Sequence, residues 1–338
     1  MSIFTFCAYP TDWIEEQSLQ QILSALKARG VNAHVDRSRT ARSKVGLFLG
    51  HHVKNRPHLA ECPVVMLHDL GQAHNVWPGF WDKEPWGDYH YGILPYRAWE
   101  EMYENYPTEK NKPKYGVATL GWPKSDNLFN KFSQSTTTNG IFKGDRLRVL
   151  YAPSWEFDNQ QDKFLRALVD LPIDIFIKQQ HWDGMGHLQR VQEMAELHRG
   201  KWPNVTILDP KTKIFDALAL TDCIVSDESS TMVEGFMVGC VPISVMDWKI
   251  PDTNPPRPPS VPFPFINKVL MEELPILISN MTDPNVLKAY KSALNSFSDY
   301  LPPNRGTAAS VFADFLLARI AETPEAANSD TSFESLSA

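Results

Sequence analysis

The sequence predicts an α/β protein of two doubly wound, Rossmann-like domains facing one another across a cleft. Three observations carry this. Short apolar runs rich in Val, Ile and Leu alternate with longer stretches of helical period, the grammar of βαβ units. The apolar runs end in small clusters of polar residues, the ligand-facing edge of an open parallel sheet. The same alternation restarts after a polar, Gly/Ser/Thr-rich stretch, Asn130 to Asp145, which reads as a domain boundary in a chain of 338 residues.

In the first half, Ser2 to Cys7 reads as a strand, and Trp13 to Arg29 as an amphipathic helix (Ile14, Leu19, Ile22, Leu23, Leu26) closed by Gly30. Strands follow at Val31 to Val35, at Val45 to Leu49 before His51-His52, and at Val64 to Leu67 before His68. Gln72 to Tyr91 has no period and is expected to be a long loop. Tyr89 to Leu94 then reads as a strand, Arg97 to Tyr106 as a helix and Tyr115 to Leu120 as a strand ending in Gly121-Trp122-Pro123-Lys124-Ser125-Asp126.

In the second half, Arg148 to Tyr151 is a strand meeting Ala152-Pro153-Ser154-Trp155, and Asp174 to Lys178 a strand meeting Gln179-Gln180-His181. Helices are expected at Lys163 to Val169 and Leu188 to His198, and a strand at Val205 to Leu208. Next, Cys223-Ile224-Val225 breaks at Ser226-Asp227-Glu228-Ser229-Ser230 and turns helical from Thr231, with Met232, Val233, Phe236 and Met237 at helical steps. Such a junction aims backbone N–H groups at one spot, which favours a phosphate; Ser229, Ser230 and Thr231 add hydroxyls, and Glu234 lies where a carboxylate would meet a ribose. The competing reading is an ordinary helix cap, for which Asp, Ser and Thr are the commonest residues. Gly239 ends the helix, and Val241 to Val245 is the next buried strand. Two such domains are the GT-B architecture or a close relative; likeness to GT-B enzymes implies an acceptor-side domain at 1–138, a nucleotide-donor domain at 146–303 and a helix at 304–321 packing back on the first domain, and the polar tail, 322–338, is expected to be disordered.

The composition bounds the partners. The formal net charge of -7 gives no basic field for nucleic acid. A local basic cluster (Arg37, Arg39, Arg42, Lys44, then Lys54 and Arg56) is either a solvated face or a peripheral contact with an anionic membrane surface. No apolar stretch approaches the ~18 residues of a membrane span, and MSIFTFCAYP lacks a charged leader, so a cytoplasmic protein is expected, at most peripheral at the inner face of the membrane. Cys7, Cys62, Cys223 and Cys240 are widely spaced and read as buried thiols. His51 and His52, adjacent on an extended chain, point oppositely and make poor joint ligands, so no metal is expected. Pro251 to Pro264 is expected to be an extended loop beside the Ser229 segment.

Co-linear blocks then resemble the CDP-glycerol glycerophosphotransferase family of teichoic-acid and capsule polymer synthesis. LHDLG (Leu67 to Gly71) is similar to its Trp-His-Gly block, TLGWPKSDNLF (Thr119 to Phe129) to its IGYPRND-type block, and VLYAPSW (Val149 to Trp155) to its LYAPTW block. IKQQH (Ile177 to His181) resembles its second histidine block, TDCIVSDESSTMVEGF its ITDYSS-type block, and NRGTAASVFADFL (Asn304 to Leu316) its closing helix. Asp69 stands where the family has glycine, and Lys178-Gln179-Gln180-His181 where it has Arg-x-His-Pro.

The resemblance implies a GT-B transferase that uses no cofactor. An acceptor hydroxyl, on a glycan or polyol phosphate, would attack the phosphorus bearing glycerol in CDP-glycerol and release CMP. His68, at a strand end and ionising near neutrality, would take the proton, with His181 as the second catalytic histidine. Lys178, Ser229, Ser230 and Thr231 would hold the diphosphate and Glu234 the ribose, while Gly121, Pro153 and Ser154, from the matching blocks, would line the substrate. The same parts suit a GT-B glycosyltransferase or epimerase acting on a UDP- or CMP-linked sugar, and a binding module that kept the fold is the third reading.

Overall fold

The computed structural model describes residues 3–10, 13–49, 55–67, 70, 81, 85–105, 108–126, 142–182 and 184–322. The first sheet comprises β1 (Ile3–Tyr9), β2 (Ala33–Val35), β3 (Arg42–Leu49), β4 (Ala60–Met66), β5 (Tyr91–Leu94) and β6 (Val117–Thr119). Their order is β2-β1-β3-β4-β5-β6, with every pairing parallel. The second sheet comprises β7 (Leu147–Tyr151), β8 (Ile173–Ile177), β9 (Val205–Ile207), β10 (Cys223–Ser226), β11 (Val241–Val245) and β12 (Asn267–Val269). It runs β12-β11-β10-β7-β8-β9 and is also wholly parallel. The architecture is two doubly wound α/β sheets, the GT-B fold. Strands β10 and β11 are buried along their whole length, which is why they read as unbroken apolar runs.

Around the sheets lie α1 (Trp13–Ala28), α2 (Arg97–Asn105), α3 (Gln160–Leu168), α4 (His187–His198), α5 (Ile214–Ala219), α6 (Thr231–Met237), α7 (Leu274–Met281), α8 (Pro284–Ala293) and α9 (Ala308–Glu322). Helix α1 stops where Gly30 takes φ +79, a left-handed C-terminal turn that glycine adopts without strain. Strand β3 begins at Arg42, ahead of its apolar run, because its backbone already pairs there with β1: Ile3 lies opposite Arg42 and Phe4 opposite Ser43. Helices α7 and α8 follow β12 in a stretch for which sequence patterning gave no assignment.

A large apolar core joins the first sheet, α1, α9 and one face of the second sheet, including Phe48, Val65, Trp99, Leu150, Ile224, Phe236 and Phe312. A second core, around Tyr151, Phe164, Ile175, Val225 and Leu274, fills the opposite face of the second sheet. Aromatic rings form part of the contact between the two halves. Tyr96 of the first half meets Phe263 and Tyr300, at ring separations of 6.4 and 6.5 Å, and Phe265 stacks on Phe236 at 4.2 Å.

Helix α9 lies against the first half. Arg29 of α1 reaches Asp314 at 2.9 Å and the Ser310 hydroxyl at 2.6 Å, and Phe315 packs edge-on to Tyr91. Glu322 still belongs to this helix; the rest of the tail, and the boundary stretch 127–141, lie outside the described residues. Of the basic cluster, Arg37 is exposed and pairs with Glu16 at 2.6 Å, and Arg56 donates to the Arg39 carbonyl. All four cysteines are buried and free. Among the described residues, no helix is long and apolar enough to cross a membrane.

Candidate ligand site at the strand ends of the second sheet

The order β12-β11-β10-β7-β8-β9 reverses direction between β10 and β7. Chain leaving these two neighbours departs to opposite sides, and the crevice beyond their carboxyl ends is where open α/β sheets hold ligands. One wall is the loop after β7, Ala152 to Trp155; the other is the turn after β10, Asp227 to Ser230.

Asp227 pins the two walls together. Its buried carboxylate accepts from the amides of Ser154 (2.9 Å), Trp155 (3.2 Å), Glu228 (2.6 Å) and Ser229 (3.1 Å). Burial raises its pKa, and the amide donors oppose that rise. Glu228, also buried, is gripped by Arg257 at 2.7 and 2.6 Å and by the Ser260 amide at 2.8 Å, which ties the proline-rich loop to the same strand end. Both carboxylates are therefore turned to protein donors, Asp227 to the amides of the two walls and Glu228 to Arg257 and Ser260. Among the described residues, no cluster of three or more His, Cys, Asp or Glu could hold a metal ion.

Helix α6 opens at Ser230, half-buried, whose carbonyl accepts from the amides of Val233 and Glu234. Ser229 Oγ accepts from the Thr231 amide at 3.3 Å and the Thr231 hydroxyl at 3.0 Å, so its own proton has no acceptor among the described residues. Thr231 differs from expectation. Its hydroxyl lies 3.4 Å from the Ala152 carbonyl and bonds to Ser229, so it shapes the turn instead of facing a ligand. The Ser154 amide is likewise committed to Asp227, and Pro153 beside it is buried.

Lys178 directly follows β8, its amide bonded to the Tyr151 carbonyl at 2.8 Å and its Nζ to the Pro210 carbonyl at 3.3 Å. Burial, and secondarily the charge of Lys124, push its pKa down to about 8, with Glu234 and Asp209 opposing. Glu234 pairs with Lys124 Nζ at 2.9 Å, although Lys124 belongs to the first half, in the turn Pro123–Ser125. Sequence reasoning passed over Lys124; the available signal was its place just beyond a first-half strand, in the Gly121 to Asp126 block.

His181 is half-buried three residues beyond Lys178. Its neighbour Trp182 donates to the Ser154 carbonyl at 3.3 Å, stacks on His187 and meets Trp155 edge-on, which closes one end of the site with aromatic rings. Beside Lys178 a cavity of about 330 Å³ is lined by Ile177, Gln179, Val191, Leu208, Asp209 and Pro210, among others.

Gly121 serves packing. Its φ is +97, and a Cβ there would lie 2.2 Å from the Pro303 carbonyl oxygen, so only glycine lets the chain before α9 cross this turn. His68, with His51 and His52, lies outside the described residues; its neighbours Leu67 and Leu70 are buried, and the Leu70 carbonyl accepts from Tyr96 Oη and Trp99 Nε1. The structure thus brings Lys178, Glu234 and Lys124 together and sets Ser229 and Ser230 at the switch point.

No family model matches the chain, and no curated protein does. Solved structures do. The wall teichoic acid polymerase TagF superposes with a TM-score of 0.60 at 13% identity, covering 94% of this chain and 89% of that one. A TagF variant soaked with CDPG gives 0.60 at 12% identity over the same shares. The UDP-GlcNAc 2-epimerase of Neisseria meningitidis, bound to UDP-GlcNAc, gives 0.57 at 12% identity, covering 94% of this chain and 100% of that one. At these identities the likeness is one of fold.

Proposed function

We propose that the chain is a transferase that moves a glycerol-phosphate, or a similar polyol-phosphate, from a CDP-activated donor to an acceptor hydroxyl in cell-surface polymer synthesis. The observation that supports it is the switch point itself: the Asp227-pinned turn, Lys178 and the Lys124–Glu234 pair gather at one set of strand ends in a fold shared along 94% of the chain with a teichoic acid polymerase. The ordered sequence blocks point the same way.

In this reading the acceptor oxygen bonds to the phosphorus that carries glycerol. The bond from that phosphorus to the bridging oxygen breaks, and CMP leaves with the electron pair. The hydroxyl proton passes to His68, the base assigned from its sequence block. Lys178 and His181 neutralise the leaving phosphate, Ser229 and Ser230 donate to the diphosphate, and Glu234 accepts from the ribose. Gly121, Pro153 and Ser154 act through the backbone they fix. The acceptor is a glycan or polyol phosphate at the inner face of the membrane, met through Arg37, Arg39, Arg42 and Lys44. A second reading, a nucleotide-sugar transferase or epimerase, is favoured by the comparable superposition on the epimerase over that enzyme's whole length.

Incubation with CDP-glycerol plus a polyol-phosphate acceptor, and separately with UDP-GlcNAc, decides between them by chromatography of the products. CMP formation supports the first reading and UDP or an epimerised sugar the second; no turnover of either makes the chain a binding module. Within the first reading, His68→Ala lowers turnover by roughly 10²–10⁴ with donor affinity nearly intact. Ser229→Ala with Ser230→Ala weakens donor binding tenfold or more, since each charge-assisted bond contributes about 1.5–3 kcal/mol.

A further inference from the structure

One ion pair spans the two halves at the rim of this site. Lys124 Nζ sits 2.9 Å from Glu234 Oε1; the glutamate side chain is 3% exposed and the lysine 28%. Among the described residues, Lys124 is the one hydrogen-bond partner of the Glu234 carboxylate. Lys178 is near enough for its ammonium to feel both charges. Two cations therefore share a small, largely buried volume with the Glu234 carboxylate, and the Asp209 charge also reaches Lys178.

The turn carrying Lys124 is held firmly while its side chain is not. Ser125 Oγ bonds the Trp122 carbonyl at 2.7 Å, Trp122 is buried, and Asp126 accepts from the Ala308 and Ala309 amides at 3.1 and 2.7 Å. Only the lysine stem, ending in one contact with Glu234, is free to re-aim.

We propose that Lys124 is a donor-site residue supplied by the first half: it is held by Glu234 in the structure and turns to the donor's diphosphate when Glu234 takes the ribose hydroxyls. This rests on the nucleotide-donor reading above. The reason is charge balance. Breaking a buried ion pair leaves an uncompensated charge, a strongly unfavourable state. A ligand that draws Glu234 to its hydroxyls must also bring an anion for Lys124, beside the cation of Lys178. A nucleoside diphosphate carries both groups on one molecule; a nucleoside or a free polyol carries only the hydroxyls. The arrangement thus selects nucleoside diphosphates over nucleosides, and it links donor binding to the contact between the two halves.

The test is calorimetric titration of the full chain with CDP, UDP, cytidine and uridine. The wild-type protein is expected to bind at least one diphosphate; if it binds none, the nucleotide-donor reading and this proposal fall together. Lys124→Met is expected to weaken that diphosphate tenfold or more and leave the matching nucleoside within about twofold, while Lys124→Arg recovers most of the loss. A structural role would weaken both ligands alike. Should Lys124→Met fold poorly because Glu234 is left unpaired, Lys124→Met with Glu234→Gln, compared with Glu234→Gln alone, isolates the lysine in a neutral site. Wild-type diphosphate affinity in Lys124→Met, equal affinity in that second comparison, or equal losses for diphosphate and nucleoside would overturn the proposal while the nucleotide reading stands.

Discussion

Lys178 carries the clearest pH signature in the molecule. Its pKa falls from the ordinary 10.5 to about 8 because burial and the Lys124 charge disfavour the ammonium form. Below pH 8 the lysine is charged in both folded and unfolded chain, and the fold bears the cost of burying it. From about 8 upward the native lysine is neutral while the unfolded one still holds its proton, so this residue's contribution to stability rises with pH until about 10.5. Anion binding runs the other way. A phosphate favours the charged lysine, so binding takes up a proton and weakens as pH climbs through about 8. We expect the CDP affinity to fall between about pH 7 and pH 9.5, and Lys178→Met to bind weakly with a flat profile. A flat wild-type profile would remove Lys178 from the phosphate site. That Lys178 and Ser229 lie just beyond apolar strands was legible in sequence, because each follows an apolar run that breaks at polar residues. Lys124 and the Asp227 staple were not, since their partners lie 110 and 73 residues away.

Helix α9 shows how a segment distant in sequence completes the first half. Its first amides are capped by Asp126, and Phe312 is fully buried against the core beneath it. Loss of a capping carboxylate costs about 1–2 kcal/mol, so Asp126→Ala lowers the urea midpoint modestly, with Asp126→Asn retaining part of the cap. Phe312→Ala removes a buried ring and costs about 3–5 kcal/mol. The proline-rich loop depends instead on charge. Arg257 neutralises Glu228, whose side chain is 2% exposed, and Arg257→Met strands that carboxylate at a cost of about 3–5 kcal/mol. Equal urea midpoints for Arg257→Met and wild type would show that loop and strand end are independent. The sequence anticipated the closing helix from its resemblance block and the loop from its prolines; it was silent on which carboxylates hold them.

The larger core includes residues of both sheets, and Tyr96, Phe263, Phe265 and Tyr300 close the junction. The two halves are therefore expected to unfold in one transition, detected at the same temperature by tryptophan fluorescence and far-ultraviolet dichroism. CDP at a hundred times its Kd adds about 2.7 kcal/mol to that single transition. Two transitions, with only one moved by the nucleotide, would show that each half is an independent folding unit. Eleven of the twelve strands, their parallel pairing and the placing of polar residues at strand ends were readable in the amino-acid order, because parallel strands buried on both faces need unbroken apolar runs and short polar exits; the short, partly exposed β12 carries no such run. Strand order, the reversal between β10 and β7, the inward turn of Thr231 and the meeting of Lys124 with Glu234 emerged only in three dimensions. Local patterns encode which face of an element is buried; which partner buries it is settled by packing among segments far apart along the chain.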